Sequence, residues 1–419
     1  MHFLYLLIFK NKELKSLSLY LFSELSSKLV PFLTIILIAK LIQPEAFGEL
    51  TLYFIVYELL IIFIGNNIAA VSRIDFFKLN RLDLIFGKKA HLIGSFTIAI
   101  AILVVALLFS YYFEFNLLFF VILVLASIFR TISFFVLADM QCKQDSLAYA
   151  KLNAVYIISL NISFLVFIFF WRDVQSWFYS LFIGAFIQML VSFYFLKKDP
   201  LLNQVIPLTV KGNHVLKEVR KGLVFVPQAI GFWIKFSIDR VLLSSLSSRF
   251  VLGNYMFAFQ LSFPIVILSS AINLFMTPKI NLYLKNGEQE KILKKLHSFL
   301  LLILLACICI YLLSKVIITN YYFDSYSKSL EYTLLICLSL YFYSCALIYI
   351  NIFYYVGKKI FVSYFVFSTS VLNLLFGYLG LKIFGTQGLL IANILINLLS
   401  FIYIFYKIEF IIFKKNNGF

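Results

Sequence analysis

Two pairs of opposite charges stand four residues apart inside apolar stretches: Glu24 with Lys28, and Lys235 with Asp239. That spacing puts both members of a pair on one helix face. The second pair lies in "GFWIKFSIDRVLLSS" (231–245), where Arg240 follows Asp239 roughly 100° around the helix. Glu58 and Arg130 stand in two further apolar stretches. A charge at the bilayer centre costs about 2.5–3.5 kcal/mol on insertion scales, so it normally faces a cavity or a partner. The chemistry open to this set is the handling of charge. Lys28, Arg130, Lys235 and Arg240 can balance an anion, and Glu24, Glu58 or Asp239 can exchange a proton or Na⁺. Blander roles fit the same residues. The two pairs would serve as packing ion pairs, Glu58 as a protonated or cross-helix-paired acid, and Arg130 and Arg240 as snorkelling side chains.

Other chemistry is poorly served. His2, His91, His214 and His297 are scattered, and the five cysteines show no metal spacing, so no metal and no cofactor is expected. No Walker A motif occurs, and no catalytic residue is assigned. The net charge of +17 does not indicate a nucleic-acid partner, because Lys and Arg cluster in short gaps between apolar blocks.

The elements that must position these residues are membrane helices. The 419-residue chain is 63% hydrophobic and only 13% charged, far from a soluble composition. Its long unbroken apolar blocks exclude the ten-residue alternation of a β-barrel. Twelve spans are expected at 17–41, 48–66, 90–111, 116–138, 149–170, 176–196, 222–247, 251–276, 298–319, 330–352, 360–382 and 387–408. Alternate gaps are rich in Lys and Arg, whereas the others hold only Lys40, Arg172, Arg249 and Lys328. That bias places both termini on the cytoplasmic side. "MHFLYLLIFK" reads as an in-plane helix, and the gaps 72–91 and 277–297 as helices lying on the cytoplasmic leaflet. The basic stretch 197–221, with Pro200, Pro207 and Gly212, divides a six-helix lobe at 1–196 from another at 222–419.

An internal repeat supports the division. "AFGEL" (46–50) recurs weakly as "VLGNY" (251–255), and "KKAH" (88–91) as "KKLH" (294–297), at offsets of 205 and 206. Six spans per lobe make the repeats parallel, related by an axis along the membrane normal. Transporters built this way bind substrate near mid-membrane and rock their halves.

Three stretches carry a family resemblance: "KLVPFLTIILIAKLIQPEAFGELTLY", "FSIDRVLLSSLSSRFVLGNYMFAFQLSFPIVILSSAINLFMTP" and "VLNLLFGYLGLKIFGTQGLLIANILINLLSFIYIFYK". Together they resemble the Wzx-type oligosaccharide-lipid flippases of the multidrug/oligosaccharidyl-lipid/polysaccharide (MOP) exporter superfamily. The resemblance implies a MATE-like, all-α fold of about twelve helices in the bacterial inner membrane. It implies a polyprenyl-diphosphate-linked oligosaccharide, an O-antigen or capsule precursor, as the substrate flipped outward. A proton or sodium gradient would drive the step, beside a polysaccharide polymerase machinery. Only Asp239 and Arg240 carry over from the family pattern; the other candidates rest on depth in the membrane. A cation-coupled multidrug exporter of the same fold ranks second. A polysaccharide polymerase ranks third, for want of a large outer loop.

Overall fold

The structure, a computed structural model, describes residues 12–112, 116–198 and 209–414. Every regular element among them is helical. In chain order these are α1 (Lys12–Ala39), α2 (Pro44–Gly65), α3 (Ile68–Lys78), α4 (Arg81–Tyr112), α5 (Leu117–Cys142), α6 (Ser146–Trp171) and α7 (Gln175–Lys197). The series continues with α8 (Gly212–Leu223), α9 (Val226–Leu246), α10 (Arg249–Ser262), α11 (Pro264–Lys285), α12 (Gln289–Ile317), α13 (Ser329–Tyr355) and α14 (Lys359–Lys414). A π-helical turn, Ile318–Tyr322, and one α-turn, Phe323–Tyr326, extend α12.

Local chemistry sets several boundaries. Asn116, Asp145 and Ser248 cap α5, α6 and α10 by accepting from the N–H groups of Phe119, Ala148 and Val251. The pair α10–α11 bends by 40° at Phe263, just before Pro264. Gly385, at φ 65°, breaks α14 into two arms. The arms lie close, since a Cβ on Gly380 would come 2.5 Å from the Gly388 carbonyl oxygen. Among the described residues, eight helices are long and apolar enough to span, or nine with the bent pair. The second arm of α14, the charge-bearing α9 and the shorter apolar part of α1 bring the crossings to twelve, as the apolar blocks predict.

The surface-helix expectation is corrected in two places. Residues 81–91 open the long α4, and only α3 is a separate short helix. Residues 277–285 continue α11, and 289–297 begin α12, with a turn at Gly287 between them. Both helices simply run beyond their apolar segments. The N-terminal decapeptide, Pro200 and Pro207 lie outside the described residues.

The chain forms two compact units: Met1–Thr34 with Tyr53–Ile230, and Ile35–Leu52 with Gly231–Phe419. In the first, Ile68, Phe135, Val136, Leu137, Met140, Tyr149 and Leu152 form a buried apolar cluster. α8 belongs to it, packing on α3 and α4. In the second, Phe47 packs edge-on against Phe257 and Tyr326. Tyr322 and Tyr326 donate their hydroxyls to the carbonyls of Ile36 (2.7 Å) and Ile42 (3.3 Å), which draws 35–52 into this unit. Gly48 and Gly253, the glycines aligned by the repeat, make the closest helix approach here. A Cβ on Gly253 would fall 1.8 Å from the Pro44 carbonyl oxygen, and one on Gly48 2.6 Å from that of Arg249.

Candidate functional site

The second unit encloses a polar pocket walled by α9, α10, α13 and α14. The four-residue spacing on α9 brings Lys235 and Asp239 to its lining together. Across from them stand Tyr255 on α10, Ser339 and Tyr343 on α13, and Asn373, Asn393 and Asn397 on α14. Ser370 of α14 donates to the Gly231 carbonyl of α9 at 3.0 Å, tying two of these walls together.

Asp239 is buried, and its carboxylate is organised by donors. The Tyr255 hydroxyl donates to Oδ2, and the Arg240 backbone N–H to Oδ1 at 3.2 Å. Lys235 does not pair with it: among the described residues no carboxylate lies within 4 Å of the Lys235 ammonium. Lys235 instead sits 4.8 Å above the Tyr343 ring. Arg240 is buried with its guanidinium 4.7 Å from the Phe259 ring, and its Nε has no partner. An aromatic face offsets only part of a desolvated cation's cost. These charges therefore remain available to a further partner.

Two acceptors are also unsatisfied. Asn397 donates its amide to the Ser339 hydroxyl (3.0 Å) and carbonyl (3.3 Å), leaving its own Oδ1 without a donor. Asn373 Oδ1 is likewise buried and unpaired. An unmet buried acceptor costs about 1–3 kcal/mol, so water or a small cation is favoured here. The water-sized space of the cavity is about 40 Å³. One water needs roughly 10–15 Å³ by that measure, so the pocket holds about three waters.

The other candidates lie elsewhere. Arg130 is in the first unit, where it donates to Gln188 Oε1 and stacks 3.7 Å from the Tyr156 ring and 4.4 Å from that of Phe134. Gln188 is oriented by donating to the Leu152 carbonyl at 3.1 Å. Glu58 is half-buried on α2. Glu24 and Lys28 lie on α1, with their side chains outside the description. Asp139, a lone carboxylate among lysines in sequence, forms an ion pair with Lys88. Asn66 and Asn273 make contacts within the protein: Asn66 donates to the Val219 carbonyl, and Asn273 accepts from Asn351. Sequence reasoning missed Tyr255, Tyr343, Ser339, Asn393 and Asn397 as pocket residues. The four-residue spacing of Asn393 and Asn397 in an apolar span was the available signal.

Residues 14–278 match the family model described as polysaccharide biosynthesis protein. The chain belongs to that family. It is the family, within the MOP superfamily, that the three stretches resemble. An uncharacterized membrane protein of Haemophilus influenzae is 26% identical over 298 residues, 70% of each chain. Among solved structures, an inward-facing multidrug resistance MATE family transporter of the MOP superfamily is similar at TM-score 0.69 and 13% identity. That match covers 91% of this chain and 94% of the other. An outward-facing one is similar at TM-score 0.64 and 13% identity, covering 96% and 97%. At that identity the likeness establishes the fold. This member of the polysaccharide biosynthesis family is a multi-pass membrane protein with the architecture of the MOP-superfamily transporters.

Proposed function

We propose that the protein is a flippase for polyprenyl-diphosphate-linked oligosaccharide, an O-antigen or capsule precursor. It carries this lipid from the cytoplasmic to the outer leaflet of the bacterial inner membrane by alternating access, with both termini cytoplasmic. A proton or sodium gradient drives the cycle, and the released lipid passes to a polysaccharide polymerase machinery. The observation that carries this reading is the pocket around Asp239, in a member of a family described as polysaccharide biosynthesis protein. A buried carboxylate, two unsatisfied amide oxygens and room for about three waters suit a coupling ion or proton. Lys235, with no carboxylate within 4 Å among the described residues, and Arg240 beside Asp239 supply positive potential for a diphosphate. Glu24, Lys28 and Glu58 belong to the proposed path, with Arg130 as a fixed positive charge oriented by Gln188 and Tyr156.

The test uses liposomes holding the protein and a polyprenyl-diphosphate oligosaccharide. Glycan placed on one leaflet should become accessible to an impermeant glycosidase on the other, faster under an imposed proton or sodium gradient. Asp239→Asn should lose the gradient response. If the glycan never crosses under either gradient while a cationic dye is expelled, the flippase reading gives way to drug export.

A further inference from the structure

The repeated "KKAH" and "KKLH" segments place two histidines in equivalent positions, but their surroundings differ. His297 is exposed, edge-on to Tyr349 and Phe405 at 6.4 and 6.0 Å. His91 is 1% exposed, with its ring against the backbone of Gly65 and Asn66 but with no well-formed hydrogen bond at either nitrogen. It lines a second small cavity in the first unit together with Ser72, Asp75, Lys88 and Glu218. The water-sized space there is about 10 Å³, room for about one water.

This cavity lies beneath α8, the helix between the α7 and α9 spans. α8 is held on the first unit by close approaches and ion pairs. A Cβ on Gly222 would fall 2.1 Å from the Asn66 carbonyl oxygen, and one on Gly94 2.4 Å from Val219 Cγ2. Asn66 Nδ2 donates to the Val219 carbonyl at 2.8 Å. Lys221 bridges Asp75 of α3 and Glu218 of α8, each at 2.8 Å. The α2–α3 break that receives α8 is strained, with Asn66 at φ 42° and Asn67 at φ 52°.

The charged groups around His91 come from every element packed there. α3 supplies Asp75, with Arg73 exposed. α4 supplies Lys88, paired with Asp139 of α5, near Cys142 and Lys143. α8 supplies Glu218 and Lys221. A buried imidazolium is costly unless an anion or more water compensates it. The anions within this cavity, Asp75 and Glu218, are both held by Lys221. Protonating His91 therefore either takes a carboxylate from Lys221 or admits water beneath α8. Both weaken the same clasp.

We propose that His91 is a proton-binding site whose protonation releases α8 from the first unit. The site is distinct from the Asp239 pocket and does not depend on the transported substrate.

The test is hydrogen–deuterium exchange of the full-length protein in lipid nanodiscs from pH 8 to pH 5.5, corrected for intrinsic exchange rates. Protection of 212–223 should fall about tenfold with acid, the factor that one displaced pKa unit represents. Protection of 329–355 should stay constant. His91→Gln should abolish the acid response, while His297→Gln and His214→Gln should keep it. Persistence in His91→Gln, or loss in His214→Gln with His91 intact, would overturn the proposal. Should His91→Gln fail to fold, Gly94→Cys/Val219→Cys provides the second measurement. A Cβ at 94 would stand 3.9 Å from that of Val219, within the disulfide range of about 3.5–4.5 Å. The oxidised bridge should remove the acid response and reduction should restore it; a response that survives oxidation sinks the idea.

Discussion

The two units treat buried lysine differently. In the first, Lys88 is met by Asp139 and Lys221 by two carboxylates, while Arg130, held by Gln188 and two aromatic rings, keeps an unpartnered Nε. In the second, Lys235 stands over the Tyr343 ring with no carboxylate within 4 Å among the described residues. Arg240 lies against Phe259 and next to Asp239, and Asp239 is organised by a tyrosine beside unsatisfied amide oxygens. Burying a charge is costly, so the first arrangement is what packing by itself demands. The second retains a cost that packing would have removed. Unmet charge around a water-holding cavity marks the place where something else is meant to bind.

The largest effect that would break this contrast is at Asp239. Asp239→Asn keeps the shape and removes the charge, so glycan crossing in liposomes should fall at least about tenfold, as expected when a required charge is neutralised. The amount of folded protein should stay normal. Loss of folded protein instead of transport would make Asp239 a packing residue like those of the first unit.

Stability effects come next. Gly253→Ala forces a Cβ into the Pro44 carbonyl, and overpacking typically costs about 1–3 kcal/mol or more. A lower melting temperature and less folded protein should follow, readable by fluorescence-detected gel filtration. Arg130→Gln removes a hydrogen bond to a charged group and two ring contacts, which should cost about 1–3 kcal/mol. Its effect on crossing should be smaller than that of Asp239→Asn. An equal loss of crossing in fully folded Arg130→Gln would erase the difference between the units.

The smallest effect concerns Lys221. Burial alone would lower its pKa, but hydrogen bonds to Asp75 and Glu218 outweigh that and hold it above the usual lysine value. A group with a raised folded-state pKa stabilises fully below its unfolded value and loses that contribution as pH rises through the folded one. The α8 clasp should therefore loosen only above about pH 10.4 on this account. Lys221→Met should flatten the alkaline limb of 212–223 exchange. The side chain is partly exposed, so salt should diminish the effect.

Much of this protein is written along its chain. Apolar blocks of bilayer length dictate membrane helices, because no other open structure satisfies its backbone in lipid. Twelve such blocks, the Asp239–Arg240 pair on α9 and the motifs around α10 and α14 pointed to the fold and the family. The periodicity also put Lys235 and Asp239 on one face, and both do line one pocket.

Tertiary structure alone decided the partners. Asp239 takes Tyr255, sixteen residues away, and not Lys235, four away, because α10 covers that face of α9. Arg130 meets Gln188 across 58 residues, and Asn66 meets Val219 across 153. Equivalent motifs at His91 and His297 end in unlike surroundings because α8 covers only the first. Helical spacing determines which residues share a face. Which element covers that face is a matter of packing between distant segments, and that decides whether a charge is paired or left free to bind.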